Sequence, residues 1–326
     1  PLGALALWLL LAKVPADRGD TSHPLDYTGA VLTTAALVAL ALGLTLLGGA
    51  GAGLDVYTTP LGGAWGVLAL AALLTAVALW VEHRKADPMI ELSLFRSPAF
   101  AGANASTLLI YTALGATLFF LPMLLVVGWG LSEAYAGGIF LPFSLLIAGL
   151  SPLVGKYGDA NGPRLPLTLG PLFTALGLFW MGWSAFGQNY WWGVVPAVLL
   201  MGTGMGITVS PLSTAVMQSV EDRQTGQASG INNMVARMAN LVAIAGFGAL
   251  VSVLFARFVE GSELPAELAS LLVDAGFGER LTGALYQVAV VDVQAQAMNG
   301  AFAWTCFATA GLCIVAAAIG WLTQKS

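Results

Sequence analysis

Asn233, Arg237 and Asn240 recur at i, i+4 and i+7 in an otherwise apolar stretch, which sets a permanently charged guanidinium between two amides on one helix face. An ionisable group inside an apolar span is expensive, so Arg237 is either part of a functional surface or paired with backbone carbonyls or a neighbouring helix. Asn104, Thr107 and Tyr111 repeat the pattern at i, i+3 and i+7, with Phe119, Phe120 and Pro122 beyond them. Such a stripe suits either a cavity for amphipathic molecules or interhelical hydrogen bonding worth about 1 kcal/mol per contact. Gly202, Gly204 and Gly206 sit close together before Pro211. No strand precedes them, so a nucleotide-binding loop is excluded; close helix packing and a flexing point fit better.

Acid/base and metal chemistry find no support. His23 and His83 fall in loops, no Asp or Glu lies within a whole span, and no His/Cys/carboxylate cluster forms, so the chain reads as no enzyme. Cys306 and Cys313 are seven residues apart on one helix, about 10 Å, too far for a disulfide.

The elements that position these residues are membrane helices. Hydrophobic residues make up 58% of the 326, charged ones 9%, and the mean hydropathy is +0.83. Soluble domains carry about 25% charged residues, so this is an all-α polytopic membrane protein with the lipid bilayer as its surroundings. The 40 glycines suit helices in close contact. A net charge of -5 offers no basic field for nucleic acid.

Uncharged runs long enough to span lie between Asp26 and Asp55, Asp55 and Glu82, Arg96 and Glu133, and Glu133 and Lys156. The stretch from Leu165 to Val220 divides at Gly187-Gln188-Asn189, and two more spans run over about 231–254 and 301–322. That makes eight whole spans, preceded by the end of a truncated one at 1–12, which suggests the C-terminal part of a longer protein. Of 12 Lys and Arg residues, Lys13, Arg18, Arg84, Lys85, Arg96, Lys156, Arg164, Arg223 and Lys325 fall on one side, Arg257 and Arg280 on the other, and Arg237 within a span. The positive-inside rule makes the first side, and the C-terminus, cytoplasmic. Around 256–299 the sequence predicts an outer loop holding a short amphipathic surface helix after Ser262 and Pro265, with 281–298 extending the last helix outward.

The decapeptide from Gly155 to Arg164 reads as a very short cytoplasmic turn. Gly155 lets two helices approach, Gly162-Pro163 forces the turn, Asp159 can face a helix N-terminus, and Lys156 and Arg164 mark the side.

Four segments in this order, RSPAFAGAN from Arg96, LPFSLLIAGLSPLVGKYGDANGPR from Leu141, LMGTGMGITVSPLSTAVM from Leu200 and ASGINNMVARMANLVA from Ala228, resemble the major facilitator superfamily, specifically its fourteen-span drug/proton antiporter branch of the EmrB/QacA type. The resemblance implies that 1–12 ends a span of the N-terminal bundle, 13–95 carries a cytoplasmic loop and two central linker spans, and 96–326 forms the C-terminal six-helix bundle. Gly155, Asp159, Gly162 and Arg164 then match the cytoplasmic loop signature and gate that side, while Ala160 replaces the basic residue usual there.

The implied activity is proton-coupled export of lipophilic or cationic compounds from a bacterial cytoplasm, across the inner (plasma) membrane. No cofactor is needed beyond the proton gradient, and the coupling acids would lie in the missing N-terminal bundle. Asn104, Thr107, Tyr111, Phe120, Asn233, Arg237 and Asn240 would line or brace the cavity. Adaptor proteins and an outer-membrane channel are compatible with the branch, though no residue demands them. Import of a metabolite by symport, or a gene fragment that transports nothing, are the alternatives.

Overall fold

The computed structural model describes residues 2–13, 26–47, 63–85, 91–279, 281 and 288–324. Arg18, His23, Asp55, Arg280 and Lys325, named above, lie outside them. Every regular element among the described residues is helical, as a bilayer requires of backbone that has no water to bond.

Helix α1 covers Leu2–Lys13, α2 Tyr27–Leu47 and α3 Gly63–Arg84. Six longer elements follow: α4 (Pro98–Met123), α5 and α6 (Glu133–Gly138 and Phe140–Asn161), α7 (Arg164–Ala185), α8 (Val195–Gln218), α9 (Thr225–Glu260) and α11 (Val288–Thr323), with the short α10 (Ala266–Ala275) before the last. Eight of the described helical stretches are long and apolar enough to cross a membrane, at the eight places the charge pattern marks. The chain is a multi-pass membrane protein.

Local sequence sets the boundaries. Ser97 caps α4, its hydroxyl accepting from the Phe100 amide at 3.4 Å, and Pro98 takes the first helical position. The break between α7 and α8 turns on Gln188, whose φ of 48° is the one left-handed non-glycine backbone among the described residues. Asn189 then accepts from the Trp192 amide at 3.0 Å and starts a π-helical turn, Tyr190–Val194, that leads into α8.

Helix α11 forms the spine, packing along α7 and α4 and touching α9. Helix α4 also lies against α9, α8 against α7, and α6 against α8, while α2 pairs with α3 and touches α9. The core joins Leu121 and Leu125, Leu178 and Met181, Met201, Phe255, and Phe302. Threonines stitch the layers: Thr117 and Thr309 hydroxyls lie 3.3 Å apart, and Thr112 donates to the Ala239 carbonyl at 3.2 Å. Helix α6 buries little beyond Gly155 and Gly158, and α9 is less covered than α4, α7, α8 or α11.

Helix α10 forms where the sequence places a short amphipathic helix. Its apolar side docks on the end of the bundle, with Leu272 fully buried and Leu268 and Phe277 against the same core. The stretch 288–298 does continue the last helix without a break.

Candidate functional site

The α9 stripe is open. Asn233, Arg237 and Asn240 are all exposed on one face, while Ile231 and Ala239 point into the packed side. Asn233 donates to the Ser229 carbonyl at 3.1 Å and Asn240 to that of Ala236 at 3.2 Å, each four residues back. No carboxylate among the described residues pairs with Arg237. Asn240 also crosses to α4, where a Cβ added to Gly115 would come within 2.7 Å of its Oδ1. Counting 1.5 Å per residue from Thr225, Arg237 lies about 18 Å along the helix.

The α4 stripe sits elsewhere. Asn104 and Thr107 are buried: Thr107 donates to Asn232 Oδ1 at 2.8 Å, and Asn104 donates to the Phe100 carbonyl at 3.0 Å while its own Oδ1, in a side chain only 3% exposed, has no partner. Tyr111 is half-buried between two apolar clusters. Phe120 is sealed further along by edge-on contacts with Phe119 and Phe277, 5.0 and 5.7 Å between centroids. The structure therefore packs α4 on α9 at Gly115–Asn240 and Thr107–Asn232, keeps the buried Asn104 and Thr107 apart from the exposed α9 stripe, and leaves Phe120 further along the bundle.

Helix α6 runs on through Asn161, so the turn shrinks to Gly162, at φ 84°, and Pro163. Gly155 is buried against Ser210 of α8, and Asp159 is exposed without an ion pair among the described residues. Arg164 bends away to α11, its guanidinium 3.9 Å from the centre of the Trp321 ring. On α8, Gly202 and Gly206 face α6, while Gly204 faces α7, where a Cβ would fall 2.5 Å from the Gly170 carbonyl oxygen. Pro211 lies against Gly158, and α8 continues through it.

Two further polar clusters emerge. Glu82, at the edge of its span by sequence, is helical and only 2% exposed in the last turn of α3; it meets Asp26 over Gly29, and Lys85 pairs with Asp26. In the linker before α4, Glu91 accepts from Ser93 at 2.7 Å and from Gln224 at 2.6 Å, tying that linker to the α8–α9 connection. Those two hydrogen bonds, the Ser93 one foremost, hold the Glu91 carboxyl below its ordinary 4.5. Charge spacing alone hides both, because each joins residues remote in sequence.

A hollow of about 1100 Å³ belongs to neither stripe. It opens between α7, the 190–194 turn and α11 and is lined by Trp180, Trp183, Trp192 and Trp304, which marks it as an aromatic belt toward lipid. Among the described residues, no three His, Cys, Asp or Glu side chains gather as metal ligands would.

Arg237 and its two flanking amides thus form an open polar face on an otherwise apolar helix. The chain is 30% identical to the multidrug resistance protein Stp of Mycobacterium tuberculosis over 256 residues, 78% of this chain and 45% of that protein. It is 31% identical to the cephamycin export protein CmcT of Amycolatopsis lactamdurans over 290 residues, 85% of this chain and 55% of that one. It is 30% identical to a lincomycin resistance protein of Streptomyces lincolnensis over 284 residues, again 85% and 55%. The chain thus spans about half the length of these relatives. The Major Facilitator Superfamily model matches residues 25–244, two thirds of the sequence and all helices from α2 to the α9 stripe, and the chain belongs to that superfamily.

Proposed function

We propose that this chain forms one half of a secondary transporter that exports lipophilic small molecules across a bacterial plasma membrane, driven by the proton gradient. The observation that carries the reading is the Asn233–Arg237–Asn240 stripe, exposed on α9, a helix less covered than α4, α7, α8 or α11. Alternating access needs such a surface, because one bundle must rock against another around a site near the membrane midplane. The relatives' names, multidrug resistance and cephamycin export, support the outward direction. Their greater length supports a second bundle in the rest of a longer protein, which would hold the coupling acids.

The Asp159 end of α6 serves as the latch on the cytoplasmic side. Helix α8, touching α6 and α7 through glycine backbone, is the helix that slides or bends between states, with Pro211 removing one amide from its ladder. The test is efflux by the protein of the complete reading frame in cells loaded with a fluorescent lipophilic compound. A protonophore should raise the retained compound, and Asp159→Ala should slow efflux at equal expression. A protonophore that lowers accumulation instead indicates import.

A further inference from the structure

The α9 face has a sign. Helices α4 and α8 contain no Asp, Glu, Lys or Arg, α6 carries charge only at Lys156 and Asp159 near its end, and Arg237 stands alone on α9 until Arg257. A guanidinium stays charged at any working pH, so the uncovered surface presents a fixed positive charge at span depth. Asn233 and Asn240 each spend one amide N–H on a carbonyl of their own helix, and Arg237 is the charged donor between them. One helical turn before Gly115, Tyr111 offers a half-buried aromatic wall on the same face of α4.

A cation is repelled here, whereas a carboxylate meets a planar fork that can donate two parallel hydrogen bonds. We propose that Arg237 is an anion-selecting contact that takes the carboxylate of amphipathic organic acids, with the apolar body lying toward Tyr111. This rests on the transport reading and narrows its cargo, away from the cationic compounds that family resemblance suggests. A free ligand fits the stripe better than a fixed protein carboxylate, because the two amides extend the polar surface over about 10 Å, beyond what a single carboxylate covers.

Three probes with one ring system separate the cases: pyrenebutyrate, its methyl ester and the matching pyrenylbutyl ammonium. The complete protein, reconstituted in vesicles, should export the acid. Arg237→Gln should cut acid transport by about tenfold or more, the loss of one charge-assisted contact, and leave the ester within about twofold. Arg237→Lys should fall between, since it keeps the charge without the fork. Equal losses of acid and ester in Arg237→Gln, at unchanged melting temperature, overturn the proposal, because the charge then serves the protein itself. Preferred export of the ammonium probe also overturns it. Fluorescence titration of purified protein separates this from the transport reading: acid binding weakened in Arg237→Gln, without transport by the wild type, refutes transport and upholds the anion contact.

Discussion

Asn104 and Thr107 lie one turn apart on α4 and make opposite predictions. Thr107→Val removes the donor to Asn232 Oδ1 and should cost about 0.6–1 kcal/mol in detergent melting, most of it recovered when Asn232→Leu is added. Asn104 carries a buried carbonyl that nothing satisfies, so Asn104→Leu should leave stability unchanged or raise it. If transport falls while the protein melts higher, the orphan carbonyl serves a second conformation. The polar stripes were legible from spacing alone, since i, i+4 and i+7 fix a face whatever surrounds it. Which face is open was not legible: the pattern of Asn104 and Thr107 matches that of Asn233 and Arg237, yet one is buried and the other exposed. That difference depends on which helix lands beside each.

Among elements, α8 is the sharpest case. Gly204→Ala sets a Cβ against the backbone of Gly170 and Thr174, and so should part α7 from α8 at a cost of about 1–3 kcal/mol. Gly248→Ala is the control, because its Cβ would meet Phe120 at 3.8 Å, an ordinary contact, and helix propensity should raise the melting temperature slightly. The linker before α4 adds a pH term. The Glu91 carboxyl titrates below its unfolded value, so its hydrogen bonds are intact at neutral pH and are lost as pH falls through the folded value. Melting temperature should therefore decline below about pH 4.5, and less steeply in Glu91→Gln. Sequence could predict the α6–α7 turn from Gly162-Pro163, but not that Arg164 would stack on Trp321, since nothing local joins the first turn of α7 to the end of α11. Glu82 escaped for a similar reason: beside Arg84 and Lys85 it resembles a loop residue, and only the fold sets it against Gly29 of α2, remote in sequence.

For the molecule as a whole, eight spans were countable because charges interrupt the apolar runs where the chain leaves the bilayer. Orientation is testable. Ala160→Cys should react with a membrane-impermeant maleimide only from the cytoplasm, and Asp292→Cys only from outside; both sites are exposed, whereas Cys306 and Cys313 are buried. The reverse labelling would invert the positive-inside assignment.

The central place of α11 has a consequence for timing. Helices α4 and α7 each owe a long flank to the last span, including Thr117 on Thr309 and Arg164 on Trp321. A ribosome adding roughly 5–20 residues per second leaves α4 in the membrane for on the order of ten seconds before that partner exists. Early helices must wait, half dressed, among lipid or insertion factors, and the bundle closes only at the end of synthesis. A chain stopped after Glu260 should insert its earlier spans and yet be cleared by membrane proteases, while the same truncated chain co-expressed with a separate 281–326 segment should persist.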